Sequence, residues 1–159
     1  MRLVIWIVLA LGLPSLAAAA DFRLADLHGS WQGDGIYRSG DLHGRMKCRL
    51  VIMAEAGKAR ITGRCASSVG NEAFDLALAR QADGSIRAGS RGTPSRPGSA
   101  IRSIRGTPRD GTLFLEGNAR EEQLRIVLVL QEDRRLRFTS FHALDGVIES
   151  AVVTLSRTP

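Results

Sequence analysis

The side chains of this chain that could do chemistry are few: two cysteines, three histidines and a concentration of arginines. The histidines are His28, His43 and His142, and none is spaced as a zinc ligand or lies in an H-E-x-x-H motif. No G-x-S-x-G, P-loop or lactamase-type motif occurs, and the carboxylates are scattered. We therefore expect no enzymatic activity, no metal and no cofactor.

The two cysteines end the segment CRLVIMAEAGKARITGRC almost symmetrically. Apolar and charged residues alternate on both sides of Ala56-Gly57, which is typical of two strands with one buried face. Folding the segment about this dipeptide pairs Glu55 with Lys58 and Cys48 with Cys65. A three-residue loop would shift the register by one and pair apolar faces with charged ones. The pattern therefore predicts a hairpin closed by a Cys48–Cys65 disulfide.

The same alternation continues downstream, interrupted by turn signals from about Gly40 to Gly146. The predicted cross-strand pairs are Leu78 with Ala88, Leu76 with Ser90, Leu128 with Phe138, Ile126 with Ser140 and Leu124 with His142. We expect an all-β fold, an antiparallel up-and-down meander of about eight to ten strands. A closed barrel is the first choice and a sandwich the second. The only helix expected is one short turn near residues 22–27.

The first 20 residues have the pattern of a secretory signal peptide. Arg2 precedes the apolar run Leu3–Leu13, and Ala18-Ala19-Ala20 forms an A-x-A cleavage site. The run is short for a bilayer span, although an N-terminal membrane anchor is the alternative. We expect a signal peptide over 1–20, a lead-in segment over 21–28 and a single β-barrel domain over 29–159. After cleavage near Ala20 the protein would be periplasmic or secreted.

The stretch LHGSWQGDG contains Gly29-x-Trp31 and resembles the start of the calycin superfamily, which includes lipocalins and avidins. The resemblance implies a barrel that Trp31 plugs at one end, and in lipocalins a late arginine packs on this tryptophan, which suggests Arg157. The wider layout, G-x-W-x-G-x-G with one cysteine pair, is similar to a family of small exported alphaproteobacterial proteins. That likeness implies export and fold, and it transfers no catalytic or binding residue.

His142 is the most notable single residue, because the predicted register places it on the core-facing side with Ser140 and Ser150. In nitrobindin-like haem barrels, which share the G-x-W-x-G-x-G start, a late-strand histidine ligates haem. Their further motifs are missing here. We therefore interpret His142 as a hydrogen-bonded histidine at the mouth of the barrel.

Arginine is concentrated in one segment of a chain whose net charge is +6. Between Arg80 and Arg109 seven arginines accompany one acid, Asp83, whereas the rest of the chain after residue 20 is nearly neutral. Clustered arginines attract anions and suit phosphate and carboxylate. The candidate anion-binding residues are Arg87, Arg91, Arg96, Arg102, Arg105 and Arg109. The alternative is a solvated face without function.

These features together predict an exported binding module of a bacterial envelope, without enzymatic activity, that holds an apolar or anionic ligand or an envelope partner. Lipopolysaccharide or an acidic polysaccharide would suit the arginines, and nucleic acid would not, because no stacking aromatics interleave with them. The alternative is an inhibitor of an exported protease that inserts the residues before Trp31 as an arm. An open apolar interior would favour a ligand carrier, and a filled interior a surface binder.

Overall fold

Ten β-strands and one 3-10 turn make up the structure, a computed structural model that describes residues 22–68, 70–90, 101 and 103–159. The turn covers Leu24–Leu27. The strands are β1 (Gly29–Ser39), β2 (Leu42–Glu55), β3 (Lys58–Ser67), β4 (Gly70–Arg80), β5 (Ile86–Ser90), β6 (Ile104–Arg109), β7 (Thr112–Ala119), β8 (Glu122–Leu130), β9 (Leu136–Leu144) and β10 (Val147–Thr158). The predicted signal peptide and the residues Arg91, Arg96 and Arg102 lie outside the described residues.

The strands form one closed antiparallel barrel. Each strand pairs with its neighbours in sequence, and β1 pairs with both β2 and β10. Closure leaves no sheet edge with unpaired backbone groups. The predicted all-β meander and its closure as a barrel are confirmed, and the sandwich alternative is wrong.

The register of the first predicted hairpin is confirmed residue by residue. Glu55 lies opposite Lys58 and Cys48 opposite Cys65, across the two-residue turn at Ala56-Gly57. The cysteines form the predicted disulfide, with their Cα atoms 4.1 Å apart. All five cross-strand pairs predicted further downstream are also present. Register could be predicted because each of these strands has one mainly apolar face.

The two ends of the barrel differ. At one end, which we call the floor, the connections are 56–57, 81–85, 110–111 and 131–135. Here Phe22, Leu24 and Leu27 of the segment before β1 are buried against Trp31 and the apolar core. The opposite end, which we call the mouth, carries the connections 40–41, 120–121 and 145–146.

Two of the floor connections use an aspartate to close the turn. Asp83 accepts hydrogen bonds from the hydroxyl and the backbone N–H of Ser85, and these bonds lower the pKa of its carboxyl. Asp133 accepts one from the backbone N–H of Arg135, which lowers its pKa in the same way. The short polar side chains satisfy backbone donors that the strands leave unpaired.

Closure between β1 and β10 requires two glycines of the G-x-W-x-G-x-G stretch. A Cβ added at Gly33 would lie 2.9 Å from Leu155 Cα and closer still to the carbonyl oxygen of Thr154. A Cβ at Gly35 would similarly overlap the carbonyl oxygen of Val152. Backbone atoms cannot yield as a flexible side chain can, so neither position has room for a side chain.

We predict that Gly33→Ala destabilises the fold by about 1–3 kcal/mol or more, because β1 and β10 must separate to admit the methyl group. Urea denaturation measures this loss. Gly89→Ala on β5 is the matched control, since a Cβ there meets nothing within 4 Å. Equal stability of the two variants would contradict the proposed role of Gly33 in closure.

Candidate functional site

Trp31 and Arg157 seal the floor together. The indole is 1% exposed and donates its N–H to the carbonyl oxygen of Leu27 at 2.9 Å. The guanidinium carbon of Arg157 lies 4.8 Å from the centre of the indole ring, within cation–π range. Its Nη2 also donates to the carbonyl oxygen of Asp26. The structure thus brings together the two residues that the calycin resemblance suggested.

Above this floor the barrel encloses a cavity of about 680 Å³. Its lower wall is apolar, and Phe74 and Phe138 stack across the interior with ring centres 6.4 Å apart. The apolar side chains around it include Leu50, Ile52, Ile61, Leu115, Ile126, Leu128 and Leu136. The volume lies within the range of small-molecule sites, about 300–1,000 Å³. The interior is therefore open above the floor and not filled by side chains.

A buried acid and a histidine lie at the mouth of this cavity. Glu122, at the start of β8, is 2% exposed. One carboxylate oxygen, Oε1, lies 2.8 Å from Nε2 of His142 on β9, and the other accepts a hydrogen bond from the backbone N–H of Ile101 at 3.1 Å. Burial of a carboxylate is costly unless hydrogen bonds compensate it, and these two contacts do so.

Glu149 of β10 faces the same histidine from the other side. Its Oε2 is 4.0 Å from Nδ1 of His142, and its Oε1 accepts a hydrogen bond from the Ser39 hydroxyl at 3.0 Å. The strand register explains this placement, because Glu149 lies directly opposite His142 in the ladder. His142 is therefore hydrogen-bonded at the mouth, between two carboxylates.

The sequence analysis missed both carboxylates. Glu122 continues the inward-facing series of Leu124, Ile126 and Leu128 by one step, so the alternation did contain the signal. Glu149 was hidden for another reason. Both faces of β10 carry apolar residues, Val152 on one and Val153 on the other, so alternation alone does not show which face is inside.

That ambiguity misplaced one predicted interior residue. Ser150 borders the cavity, but it pairs with Phe141. It therefore belongs to the other face of β10 from the buried Ala151. Glu149, and not Ser150, is the neighbour of His142. Ser140 lines the cavity as predicted by the register of β8 and β9, opposite Ile126.

The described members of the arginine cluster divide into two places. Arg87 and Arg105 lie directly opposite each other on β5 and β6, and both are exposed. Arg109 lies at the floor end, 5.5 Å over the ring of Phe114 and 3.8 Å from a carboxylate oxygen of Asp110. The binding of an anionic envelope component through these arginines stays a prediction.

The described residues before Trp31, 22–30, do not extend from the barrel as an arm. Phe22, Leu24 and Leu27 are buried, and Arg80 Nη2 donates to the carbonyl oxygen of Phe22 at 2.7 Å. Their packing makes this segment part of the floor. The described part of this segment is therefore not the free arm that the protease-inhibitor alternative invoked, and inhibition itself stays a prediction.

Within the described ranges, no group of three His, Cys, Asp or Glu side chains is arranged to hold a metal ion. Among the described residues, no helix has the length and the apolar composition needed to cross a membrane.

Comparison with known proteins finds structures of the same fold, but it assigns the chain to no family. No family model and no curated protein matches the chain. Among solved structures, the S-type phycobiliprotein lyase CPES from Guillardia theta is similar, with a TM-score of 0.64 and 12% identity over 86% of this chain and 90% of that one. A protein of unknown function from the DUF3598 family of Nostoc punctiforme PCC 73102 matches with a TM-score of 0.61 and 13% identity. That match covers 87% of this chain and half, 50%, of the other.

These likenesses and the ten-strand closure fit a calycin-like barrel fold. The predicted membership of an exported alphaproteobacterial family stays a prediction, because no family model matches. The prediction of a protein without enzymatic activity is contradicted, since a protein of the same fold is a lyase. The absence of local motifs could not support that prediction, because a barrel can assemble polar side chains from separate strands without a local signature.

We predict that Arg157→Ala lowers the free energy of unfolding by about 1 kcal/mol, because the floor loses the cation–π contact and the bond to Asp26. Urea denaturation followed by the fluorescence of Trp31, the one tryptophan after residue 20, measures the change. Arg137→Ala on the exposed face of β9 is the control. A loss of the same size in both variants would show that Arg157 does not hold the floor.

Proposed function

We propose that this barrel binds a small, largely apolar molecule in its interior. The observation that carries the proposal is the cavity of about 680 Å³ between the sealed floor and the polar mouth. Pockets of this size with apolar walls and a few polar groups at one end are the usual form of small-molecule sites.

The size of the barrel explains why the cavity stays open. The diameter of a barrel grows with its strand number, and about eight strands leave an interior that side chains can just fill. This barrel has ten strands. Its inward-facing residues are mostly leucine and isoleucine, which cover the wall and leave the centre open. Phe74 and Phe138 are the pair that stacks across the interior.

The polarity of the two ends sets the orientation of the ligand. Trp31 and the segment before it close the floor with apolar groups, whereas Glu122, His142 and Glu149 lie at the mouth. An amphipathic ligand gains most when its apolar part is removed from water and its polar part faces the polar groups. We therefore place the apolar end of the ligand toward the floor and its polar end at the mouth.

The likeness to a phycobiliprotein lyase is in keeping with a barrel that works on a bound molecule. At 12% identity it supports the fold and carries no reaction to this chain. The proposal concerns the binding step, which a carrier and an enzyme of this fold share.

The proposal also assigns the protein to an exported compartment, periplasmic or secreted. The disulfide supports this, because such bonds persist in oxidising spaces and are rare in the cytosol. The signal-peptide pattern over residues 1–20 supports it independently.

The binding proposal predicts that filling the cavity abolishes ligand uptake. Ile126 lines the cavity, and its neighbour Val127 is on the opposite face of β8. We expect Ile126→Trp to weaken binding of the neutral apolar dye N-phenylnaphthylamine by about tenfold or more, because the indole occupies the ligand volume. Dye fluorescence titration measures the dissociation constant.

Val127→Trp is the matched control and should bind the dye as the wild type does. Thermal denaturation shows whether both variants are folded. Dye binding that is equally weakened in both variants, or in neither, would contradict an interior site.

The export proposal predicts that protein recovered from its own host lacks the first 20 residues or so. Intact mass spectrometry without reductant checks the cleavage, and it should also show a mass consistent with one disulfide. A full-length chain recovered from the cytoplasm would contradict export.

A further inference from the structure

A second hollow lies on the outer face of β3, β4 and β5, separate from the barrel interior. It is a groove with a volume of about 670 Å³. The residues along its bottom have small side chains or none, whereas long basic side chains stand on both sides. We call it the outer groove and define it by Lys58, Ala77, Ala79, Arg87 and Gly89.

The strand register explains why the groove is at this place. Lys58 of β3 lies opposite Ala79 of β4, and Ala79 lies opposite Arg87 of β5. Ala77 and Gly89 form the next pair of the same face, one step toward the mouth. A Cβ added at Gly89 would meet nothing within 4 Å, so the space above this pair is open. Two long basic side chains are thus separated by a strip without bulk.

The separation of the two basic residues suits a small anion. Neighbouring strands are about 4.8 Å apart, so the backbones that carry Lys58 and Arg87 lie about 10 Å from each other. Both side chains are exposed, and both are long enough to reach over Ala79 from opposite sides. An oxyanion that rests on the methyl group of Ala79 therefore accepts hydrogen bonds from the Lys58 ammonium and the Arg87 guanidinium together.

The two cations are not committed to acids of the chain. The ion pairs formed by the described residues do not include Lys58 or Arg87. Arg60 also borders the groove, but it forms a bidentate pair with Asp75, so we do not assign it to the anion. Of the described residues that line the groove, Glu55 is the acid, and it lies opposite Lys58 in the ladder. Lys58 and Arg87 together outweigh this single carboxylate.

Arg105 adds a further positive charge beside the groove. It lies directly opposite Arg87 on β6, and like charges in this arrangement repel each other. Hydrogen bonds from Ser85 and, to a smaller extent, the charge of Arg105 lower the pKa of Asp83, so this carboxylate offsets Arg105 in part. An anion held by Arg87 relieves the remaining repulsion between the two arginines.

We propose that the outer groove binds a phosphate monoester group between Lys58 and Arg87, above Ala79. Such a group carries close to two negative charges and three acceptor oxygens at neutral pH, which matches two facing cations. The planar fork of arginine engages two of the oxygens, and the lysine ammonium acts as a point charge on the third. The site is outside the barrel, so the inference goes beyond the proposed interior site and does not depend on it.

The proposal changes the set of anion-binding residues that the sequence analysis expected. Lys58 was not among them, because it is distant from Arg87 in the chain and only the order of the strands brings the two together. Arg109 was among them, but it lies at the floor end, beside Asp110. Arginine density along the chain is therefore a poor guide to which cations share a ligand.

Methyl phosphate and methyl sulfate separate the charge of the group from its shape. Both are small and polar, but above neutral pH the phosphate carries a second negative charge. NMR titration of nitrogen-labelled protein, followed through the backbone amide shifts, measures each affinity and locates each site. We expect the shifts at Ala77, Ala79, Arg87 and Gly89, and methyl phosphate should bind about tenfold more tightly than methyl sulfate.

Lys58→Gln and Arg87→Gln test the two cations. We expect each variant to bind methyl phosphate about tenfold more weakly, because a hydrogen bond between charged groups is lost. Arg137→Gln removes the same charge from an exposed position on β9, and it should keep the affinity of the wild type. Equal weakening in all three variants would show that the net charge of the protein, and not the outer groove, attracts the anion.

Ala79→Leu tests the shape of the groove while every charge is kept. The longer side chain occupies the place above residue 79, so we expect the affinity for methyl phosphate to fall by about tenfold. Thr139→Leu on the outer face of β9 is the matched control and should bind as the wild type does. Thermal denaturation shows whether the variants are folded. Undiminished binding in a folded Ala79→Leu variant would contradict a site above Ala79.

Vesicles distinguish the two sources from which a phosphate monoester could come. The protein is sedimented with phosphatidylcholine vesicles that contain or lack phosphatidic acid, whose head group is a phosphate monoester. Co-sedimentation that requires phosphatidic acid and is lost in Arg87→Gln identifies a lipid head group. Binding of methyl phosphate without such co-sedimentation identifies a soluble ligand. If methyl phosphate causes no localised shifts in the wild type, the proposal is wrong whatever the vesicles show.

The variant with a filled interior separates this inference from the proposed function. Ile126→Trp changes the cavity and leaves the outer groove as it is, so it should bind methyl phosphate as the wild type does. Loss of methyl phosphate binding in this variant would place the anion inside the barrel and overturn the inference. Failure of the apolar dye to bind any variant would contradict the interior site alone.

Discussion

The close contact between β1 and β10 is the constraint on which the rest of the structure depends. Gly33 and Gly35 allow the first and last strands to meet, and without this meeting the sheet would be an open meander with two edges. Closure creates an inside and an outside, so the alternation of each strand becomes a division between cavity wall and solvent. The cavity, its floor and its mouth all follow from this one pairing.

Floor and mouth use opposite kinds of interaction. At the floor, Trp31 is surrounded by apolar side chains, and its single polar atom is satisfied by the carbonyl oxygen of Leu27. At the mouth, Glu122 and His142 satisfy each other where the wall meets water. The barrel is therefore sealed by burial at one end and lined by hydrogen-bonding groups at the other.

Charged side chains lie both on the outer face of the barrel and along the cavity. The arginines of β5 and β6 are exposed, and the carboxylates of Glu72, Glu122 and Glu149 line the cavity. The net charge of +6 belongs to the whole chain and does not give the charge around the cavity. Composition reports the sum of charges, whereas a ligand in the cavity is close to only a few of them.

The sequence by itself determined the strands, the disulfide and the pairing of adjacent hairpins. These depend on period-two alternation and turn residues, which are local, as the pairing of Cys48 with Cys65 shows. Only the tertiary structure decided that β1 meets β10, that the interior is open, and that Glu122 and Glu149 flank His142. The pairing of β1 with β10 joins residues far apart in the chain, which no local pattern reports. On β10, with apolar residues on both faces, no local pattern shows which side chains point inside.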